Sequence, residues 1–273
     1  MKRFAIGGAE AGTRHLLIVA GPCVIESAEM SLRVAAHLKT LCAARDLPYV
    51  FKASYAKANR SSAGSFQGLQ RQEALEILGR VRREVQVPVL TDVHAENEID
   101  EAARVADALQ IPAFLSRQTS LLQSAARSGR AVNVKKGQFL APDDMRQVVE
   151  KLTAAGGQKI LLTERGTTFG YHDLVVDMRG LVTMRGLGWP VLYDATHSLQ
   201  RPGGEVSGGD RRFAVPLMRA AVACGVDGLF FETHPDPSRA LSDAAVQLPL
   251  AEVEAFLDEA LLVHERVRDL GHA

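Results

Sequence analysis

The sequence has few cysteines, no net charge and no long hydrophobic run, and each absence excludes a class of protein. Cysteine occurs at only three of 273 positions, 23, 42 and 224, which argues against a disulfide framework and for reduced thiols. The 32 Lys and Arg residues balance 32 Asp and Glu residues, so no overall field attracts nucleic acid or an anionic membrane. No apolar stretch is long enough to cross a bilayer, and the opening residues lack the apolar core of a signal peptide. We expect a cytoplasmic protein that binds neither nucleic acid nor membrane.

The chain also shows no internal repeat, linker or low-complexity tract, and its length suits one large α/β domain. Short runs rich in Val, Ile and Leu alternate with stretches of helical periodicity, which predicts a parallel sheet. The predicted strands are 15–22, 48–53, 88–93, 108–113, 131–136, 159–165, 190–195 and 227–233. Among the predicted helices, 27–45 has Ser27 as its N-cap.

Eight strands buried on both faces, each followed by a helix, are best accommodated by closing the sheet. The sequence therefore predicts a single-domain (β/α)8 TIM barrel over residues 1–273. Residues 1–14 form an N-terminal extension, expected to be a short hairpin that closes the barrel bottom. An open, doubly wound sheet is the alternative, but no G-x-G-x-x-G motif follows the first strand.

Reactive side chains follow the predicted strands, at the end of a barrel where enzymes of this fold carry their chemistry. Four of them are cations on three strands or the loops after them, and clustered cations repel one another unless an anion lies among them. A phosphate, or a phosphate with a carboxylate, suits such a mixture of Lys and Arg. Separate salt bridges are the alternative. The four cations are Lys52, Lys57, Lys135 and Arg165.

Two polar loops extend this predicted site. Segment 52–68 is rich in Ser, Gly and Asn, and its Asn59, Arg60 and Ser61 are candidates for a second anionic group. The alternative is a solvated serine-rich loop. Segment 200–213 is rich in glycine and is a candidate lid, in which Arg211 is a candidate phosphate contact.

Four further residues have the chemistry of a metal site: Cys23, His197, Glu232 and Asp243. A thiolate, an imidazole and two carboxylates suit a divalent transition metal such as Zn, Fe or Mn better than Ca or Mg. The first and eighth strands are neighbours in a closed barrel, which favours this grouping. Each residue type also has ordinary structural roles in a protein core, so the residues alone leave both interpretations open.

Seven motifs make the sequence resemble the 3-deoxy-D-manno-octulosonate 8-phosphate synthase family, from residue 15 to residue 249. They are AGPCVIES (20–27), FKASYAKANRSS (51–62), TDVH (91–94), NVKKGQF (133–139), TERGTTFGY (163–171), DATHSLQ (194–200) and ETHPDP (232–237). The resemblance implies condensation of phosphoenolpyruvate with D-arabinose 5-phosphate and release of inorganic phosphate, a step of lipopolysaccharide synthesis. It also implies a homotetramer in which Arg60 reaches a neighbouring subunit's site.

The resemblance assigns roles to the candidate residues. The four cations resemble the family's phosphoenolpyruvate cradle, and residues 59–61 resemble its contacts to the sugar phosphate. Cys23 resembles the cysteine of the metal-dependent class, where the metal-free class has Asn. This implies a divalent metal held by the four candidate ligands. Asp92, His197 and Lys57 are the candidate catalytic residues, the first two as groups that move protons.

Three alternatives remain. In the related 3-deoxy-arabino-heptulosonate 7-phosphate synthases, Pro and Thr follow the second-strand Lys, whereas this chain continues Lys57-Ala58-Asn59-Arg60, which favours the five-carbon sugar. A sialic-acid-type synthase is disfavoured because no appended domain follows the predicted barrel. A non-catalytic phosphate-sensing barrel is disfavoured by the complete set of candidate catalytic residues.

Overall fold

A computed structural model describes residues 1–56, 68–201 and 208–270 and contains a closed barrel of eight parallel strands. The strands are β1 Leu17–Gly21, β2 Tyr49–Lys52, β3 Val89–Asp92, β4 Ala108–Ile111, β5 Ala131–Lys135, β6 Ile160–Glu164, β7 Val191–Asp194 and β8 Gly228–His234. Each pairs with the next, and β8 closes the barrel on β1 with Leu229 opposite Ile18. The predicted barrel is confirmed, with each strand starting and ending within two residues of its predicted limits.

Helices follow the strands and cover the outside of the barrel. They are α1 Ala28–Ala43, α2 Arg71–Arg80, α3 Ile99–Val105, α4 Thr119–Arg127, α5 Met145–Ala154, α6 Met178–Arg185, α7 Ala214–Ala223 and α8 Val253–Asp269. Ser27 caps α1 as predicted, because its side chain accepts a hydrogen bond from the Met30 amide. No helix in the described ranges is long and apolar enough to cross a membrane.

The N-terminal residues form the predicted hairpin. Strand Phe4–Ile6 pairs antiparallel with Ala9–Ala11. Ile6, Ala9 and Ala11 are buried and pack against side chains inside the barrel, including Leu17 and Phe230. The hairpin therefore closes the end of the barrel at which the strands begin, and leaves the other end for a site.

The loops at the carboxyl ends of the barrel strands contain additional short strands. Thr167–Thr168 pairs with Leu174–Val175, Gln200–Arg201 pairs with Gly208–Gly209, and Leu248–Pro249 runs parallel to the end of β8. The larger core cluster lies between barrel and helices, where Val34, Leu38, Met145 and Val253 are buried. That a single domain extends over all 273 residues stays a prediction, because 57–67, 202–207 and 271–273 lie outside the described residues.

Candidate active site

A cavity opens at the carboxyl ends of the strands, where the sequence predicts the chemistry. Charged and polar side chains from six of the eight strands or the loops after them line it: Lys52, Asp92, His94, Gln110, Lys135, Gln138, Arg165 and His197. Strands buried on both faces orient these side chains inward because alternate residues of a strand point to opposite faces. Three of the four cations predicted to bind an anion therefore meet in one place.

Lys52 is the last residue of β2, and only 1% of it is exposed. Its Nζ donates to Glu232 Oε1 at 2.8 Å, to Ser54 Oγ at 3.1 Å and to the Cys23 carbonyl at 3.3 Å. Burying an ammonium group costs roughly several kcal/mol of solvation free energy unless charges and hydrogen bonds replace the lost water. These three acceptors hold Lys52 at the point where β1, β2 and β8 meet.

Lys135 ends β5 and forms a buried cluster with Asp194 and His197. Its Nζ lies 2.5 Å from Asp194 Oδ2, 3.2 Å from His197 Nδ1 and 3.6 Å from the centre of the Phe230 ring. Burial lowers the pKa of Lys135, while the Asp194 charge opposes that change. Burial raises the pKa of Asp194, but the charges of His197 and Lys135 outweigh it and hold that pKa well below its usual range.

Asp194 also fixes the imidazole of His197. Its Oδ1 accepts hydrogen bonds from the amides of Thr196 and His197, and its Oδ2 lies 2.9 Å from His197 Nδ1. The Nε2 atom of His197 faces Glu232, with 3.6 Å to Oε1. A carboxylate on one imidazole nitrogen leaves the other nitrogen for a proton transfer or a metal ion.

Arg165, just beyond β6, reaches the cavity from the opposite side. It is 5% exposed, and burial lowers its pKa. Its Nη2 donates to Gln200 Oε1 at 2.7 Å, and Gln200 Nε2 donates to Asp243 Oδ1 at 2.8 Å. Gln200 thus bridges the guanidinium and a predicted metal ligand through one amide group.

A chain of buried hydrogen bonds crosses four neighbouring strands and ends on Asp92. Thr163 donates to Asn133 Oδ1 at 2.7 Å, Asn133 donates to Gln110 Oε1 at 2.8 Å, and Gln110 donates to Asp92 Oδ1 at 2.5 Å. Ser54 donates to the other carboxylate oxygen of Asp92. The donors all point towards Asp92, which favours its ionised form and fixes its orientation.

Three of the four predicted metal ligands come together beside the cavity. Donor atoms of Cys23, Glu232 and Asp243 all lie within 4.8 Å of one another, and Cys23 Sγ lies 2.9 Å from Asp243 Oδ2. Asp243 adopts a left-handed backbone conformation, with φ of 49°, that directs it back towards β1. His197 adjoins this group at Glu232, with 3.6 Å between its Nε2 and Glu232 Oε1.

The donor set and the local charges fit a divalent cation. A thiol with two carboxylates is typical of transition-metal sites. In the described part of the site, three cations face four carboxylates: Asp92, Asp194, Glu232 and Asp243. A bound divalent ion would offset the excess negative charge, which is costly to bury.

Two buried or half-buried amides that sequence reasoning missed hold this region together. Gln247 accepts a hydrogen bond from the Cys23 amide at 3.4 Å and donates to the Ser242 carbonyl at 2.7 Å. Its own carbonyl accepts from Arg211 at 3.0 Å. Gln200 is the second. Neither has a periodicity signal, because Gln200 lies in a strand of only two residues and Gln247 lies in a loop. Gln110 and Asn133, by contrast, are polar residues within apolar strands, which makes them detectable from the sequence.

Some strand-end residues do not join the cavity. Lys136 contacts Glu164 and Thr167 instead, because it points the opposite way from Lys135. His234 lies near Glu26 in a separate surface pocket. The predicted sites at Lys57, Asn59, Arg60 and Ser61 fall on residues outside the described ranges, as does the centre of the predicted lid.

Comparison with known proteins agrees with this geometry. A chain from Trichlorobacter lovleyi is 54% identical over 259 residues, covering 94% of this chain and 95% of that protein, and is named 2-dehydro-3-deoxyphosphooctonate aldolase. Proteins of the same name from Syntrophobacter fumaroxidans and Thiobacillus denitrificans are 50% and 51% identical, covering 98% and 96% of this chain and 94% and 95% of their own. The model of the DAHP synthetase I family matches residues 5–267. The chain therefore belongs to the DAHP synthetase I family.

Proposed function

We propose that this enzyme condenses phosphoenolpyruvate with D-arabinose 5-phosphate and water, giving 3-deoxy-D-manno-octulosonate 8-phosphate and inorganic phosphate. This is the reaction class that the names of its relatives indicate, and it is a step of lipopolysaccharide synthesis. The observation that carries the proposal is the convergence of Lys52, Lys135 and Arg165 on one cavity. Three buried cations from different strands suit a substrate that bears both a phosphate and a carboxylate.

In the proposed reaction, C3 of phosphoenolpyruvate attacks the aldehyde carbon of the sugar, and water adds at C2. The resulting hemiketal phosphate loses inorganic phosphate by cleavage of its carbon–oxygen bond. Lys52, Lys135 and Arg165 bind and orient phosphoenolpyruvate, and Lys57 is the predicted fourth cation. Such charges, fixed before the substrate arrives, stabilise developing negative charge at little reorganisation cost.

Proton transfer falls to groups that face the cavity. Asp92 is the first candidate because it lines the cavity and hydrogen bonds from Gln110 and Ser54 fix its orientation. His197, oriented by Asp194, is the second candidate in metal-free protein, since its Nε2 cannot both bind a metal ion and carry a proton. The proposed metal ligands are Cys23, His197, Glu232 and Asp243, and Zn, Fe and Mn are the candidate ions. A metal bound there would supply Lewis-acid stabilisation of charge on oxygen.

The sugar phosphate is proposed to bind through Asn59, Arg60 and Ser61. A phosphate-release assay tests the function by comparing arabinose 5-phosphate with erythrose 4-phosphate, with each product identified by mass. Efficient turnover of the five-carbon sugar supports the proposal. Preference for the four-carbon sugar would reassign the chain to heptulosonate synthesis, and phosphoenolpyruvate binding without any turnover would reassign it to a non-catalytic role.

We also propose that the protein is a homotetramer. Phe139 and Phe169 are 55% and 71% exposed and, with Val175, line one cleft. Large exposed apolar groups of this kind are typical of subunit contacts. Light scattering should give about four times the 29.5 kDa chain mass. Phe169→Ser should lower the measured mass, whereas Leu262→Ser on α8 should not.

The cytoplasmic location stays a prediction, which cell fractionation tests.

A further inference from the structure

A second cavity, the basal cavity, lies at the hairpin end of the barrel, away from the candidate active site. Its volume is about 320 Å³. It is lined by the N-terminal segment, by the end of α6, by the loop that leads into β8 and by the last turns of α8. Its ionisable side chains are mostly basic: Arg3, Arg14, His15, Arg185, His264 and Arg268.

The carboxylate that lines the basal cavity, Asp227, is already engaged. Both of its oxygens accept hydrogen bonds from Arg185 at 3.2 Å, and Oδ2 also accepts from the Val191 amide at 2.8 Å. Asp227 is 7% exposed. It therefore neutralises Arg185 and secures the start of β7, and it contributes little negative charge to the other cations of the cavity.

Three arginines of the basal cavity have no carboxylate partner among the described residues. Within the ranges that the structure describes, Arg3, Arg14 and Arg268 form no ion pair. They come from three separate points of the sequence, yet face one concave surface. The protein as a whole has zero net charge, yet positive charge is concentrated in this cavity. The concave shape of the cavity strengthens the electric field of these charges.

Neighbouring histidines hold this arrangement in place. Arg14 Nε donates to His15 Nε2 at 2.9 Å, and His264 Nε2 lies 2.8 Å from the Arg14 carbonyl. Burial lowers the pKa of His264, and the charge of Arg268 lowers it further. The two contacts orient Arg14 from both ends, while the arginines carry the positive charge of the cavity.

We propose that the basal cavity binds a small polyanion that bears at least two phosphate or carboxylate groups. Planar guanidinium groups on three segments match several anionic groups on one molecule better than a single ion. The volume admits a small molecule and is too confined for a nucleic acid helix. This site is separate from the proposed catalytic cavity and does not depend on the proposed reaction.

Equilibrium dialysis with labelled inorganic pyrophosphate tests the proposal on the full chain. The test variant is Arg14→Ser/Arg268→Ser. The control, Arg179→Ser/Arg266→Ser, changes net charge equally at side chains that are 91% and 79% exposed and lie outside the basal cavity. We expect the test variant to bind one pyrophosphate fewer per chain, or to bind it at least about tenfold more weakly at this site. The control should bind as wild type does.

Turnover and thermal unfolding of each variant separate the outcomes. Pyrophosphate bound at the catalytic cavity inhibits turnover equally in all three proteins, so a loss confined to the test variant reports the basal cavity. Equal binding by all three proteins overturns the proposal, as does an equal loss in both double variants, which would reflect net charge alone. If the test variant does not fold, Arg268→Ser serves with the same criteria. Thermal unfolding shows whether each variant is folded without relying on turnover, so the test remains valid even if the proposed reaction is wrong.

Discussion

Lys52 Nζ on β2 and Glu232 Oε1 on β8 lie 2.8 Å apart across the end of β1, and both side chains are almost fully buried. This ion pair joins the proposed phosphate-binding cations to the proposed metal ligands. The two halves of the site therefore depend on each other for charge balance, since neither buried charge is stable alone.

Replacing Lys52 with Met is expected to lower the free energy of unfolding by about 3–5 kcal/mol, because the buried Glu232 would lose the ammonium group that donates to it. Urea denaturation measures the change. The double variant Lys52→Met/Glu232→Leu should recover part of that stability and none of the activity. An unchanged stability in Lys52→Met would contradict the pairing inferred from the geometry.

Replacing Cys23 with Ala is expected to reduce bound metal from about one ion per chain to a small fraction of that, because a thiolate is the softest donor of the group. Metal analysis of purified protein measures this directly. Cys224→Ala, at the half-buried C-cap of α7, is the control and should retain the metal. Treatment with a chelator should abolish turnover of wild type, and full activity in metal-free protein would refute the metal assignment.

The sequence alone predicts the barrel and the cation cluster because both follow from local patterns. Apolar runs identify the strands, and the residue that ends each run lies at the mouth of the barrel. The contact between Cys23 and Asp243 has no such signal. It depends on a left-handed turn at Asp243 and on the amide of Gln247, which bridges two loops separated by more than 200 positions. The sequence offers Asp243 as a ligand by its chemistry, and the family resemblance supports it, but neither specifies the geometry of this contact.

The hydrogen-bond chain to Asp92 predicts that a substitution outside the cavity lowers both stability and activity. Asn133→Leu would leave Gln110 Oε1 without its buried donor and Thr163 Oγ1 without its buried acceptor, and each such loss costs about 1–3 kcal/mol. We expect lower stability in urea, and a lower kcat because the Gln110 amide that donates to Asp92 would no longer be held in place by Asn133. Gln147→Leu, at an exposed position on α5, should change neither. A stable Asn133→Leu variant with normal kcat would show that the chain is not needed.

Stability should fall in acid partly through His264. Burial and the charge of Arg268 lower its pKa in the folded protein, so the unfolded chain binds the proton more readily. The contribution of His264 is therefore complete above its ordinary value of 6.5 and is lost as pH falls through the lowered folded value. His264→Gln should flatten the pH dependence of the melting temperature between pH 7.5 and 5, whereas the exposed His37→Gln should not.

Gln200 links Arg165 to Asp243 through the two ends of one amide, which predicts a coupled loss on its removal. Gln200→Leu keeps the approximate side-chain volume but removes both hydrogen bonds. We expect the KM for phosphoenolpyruvate to rise about tenfold and metal to dissociate more readily, because residues behind metal ligands typically tune affinity by about 10–100-fold. Steady-state kinetics and metal competition with a chelator measure the two effects.

Gln200→Glu separates the two effects, since it retains the acceptor for Arg165 and places a second carboxylate beside Asp243. We expect it to restore the KM but not the chelator resistance, and recovery of both would show that the bridge acts through Arg165 alone.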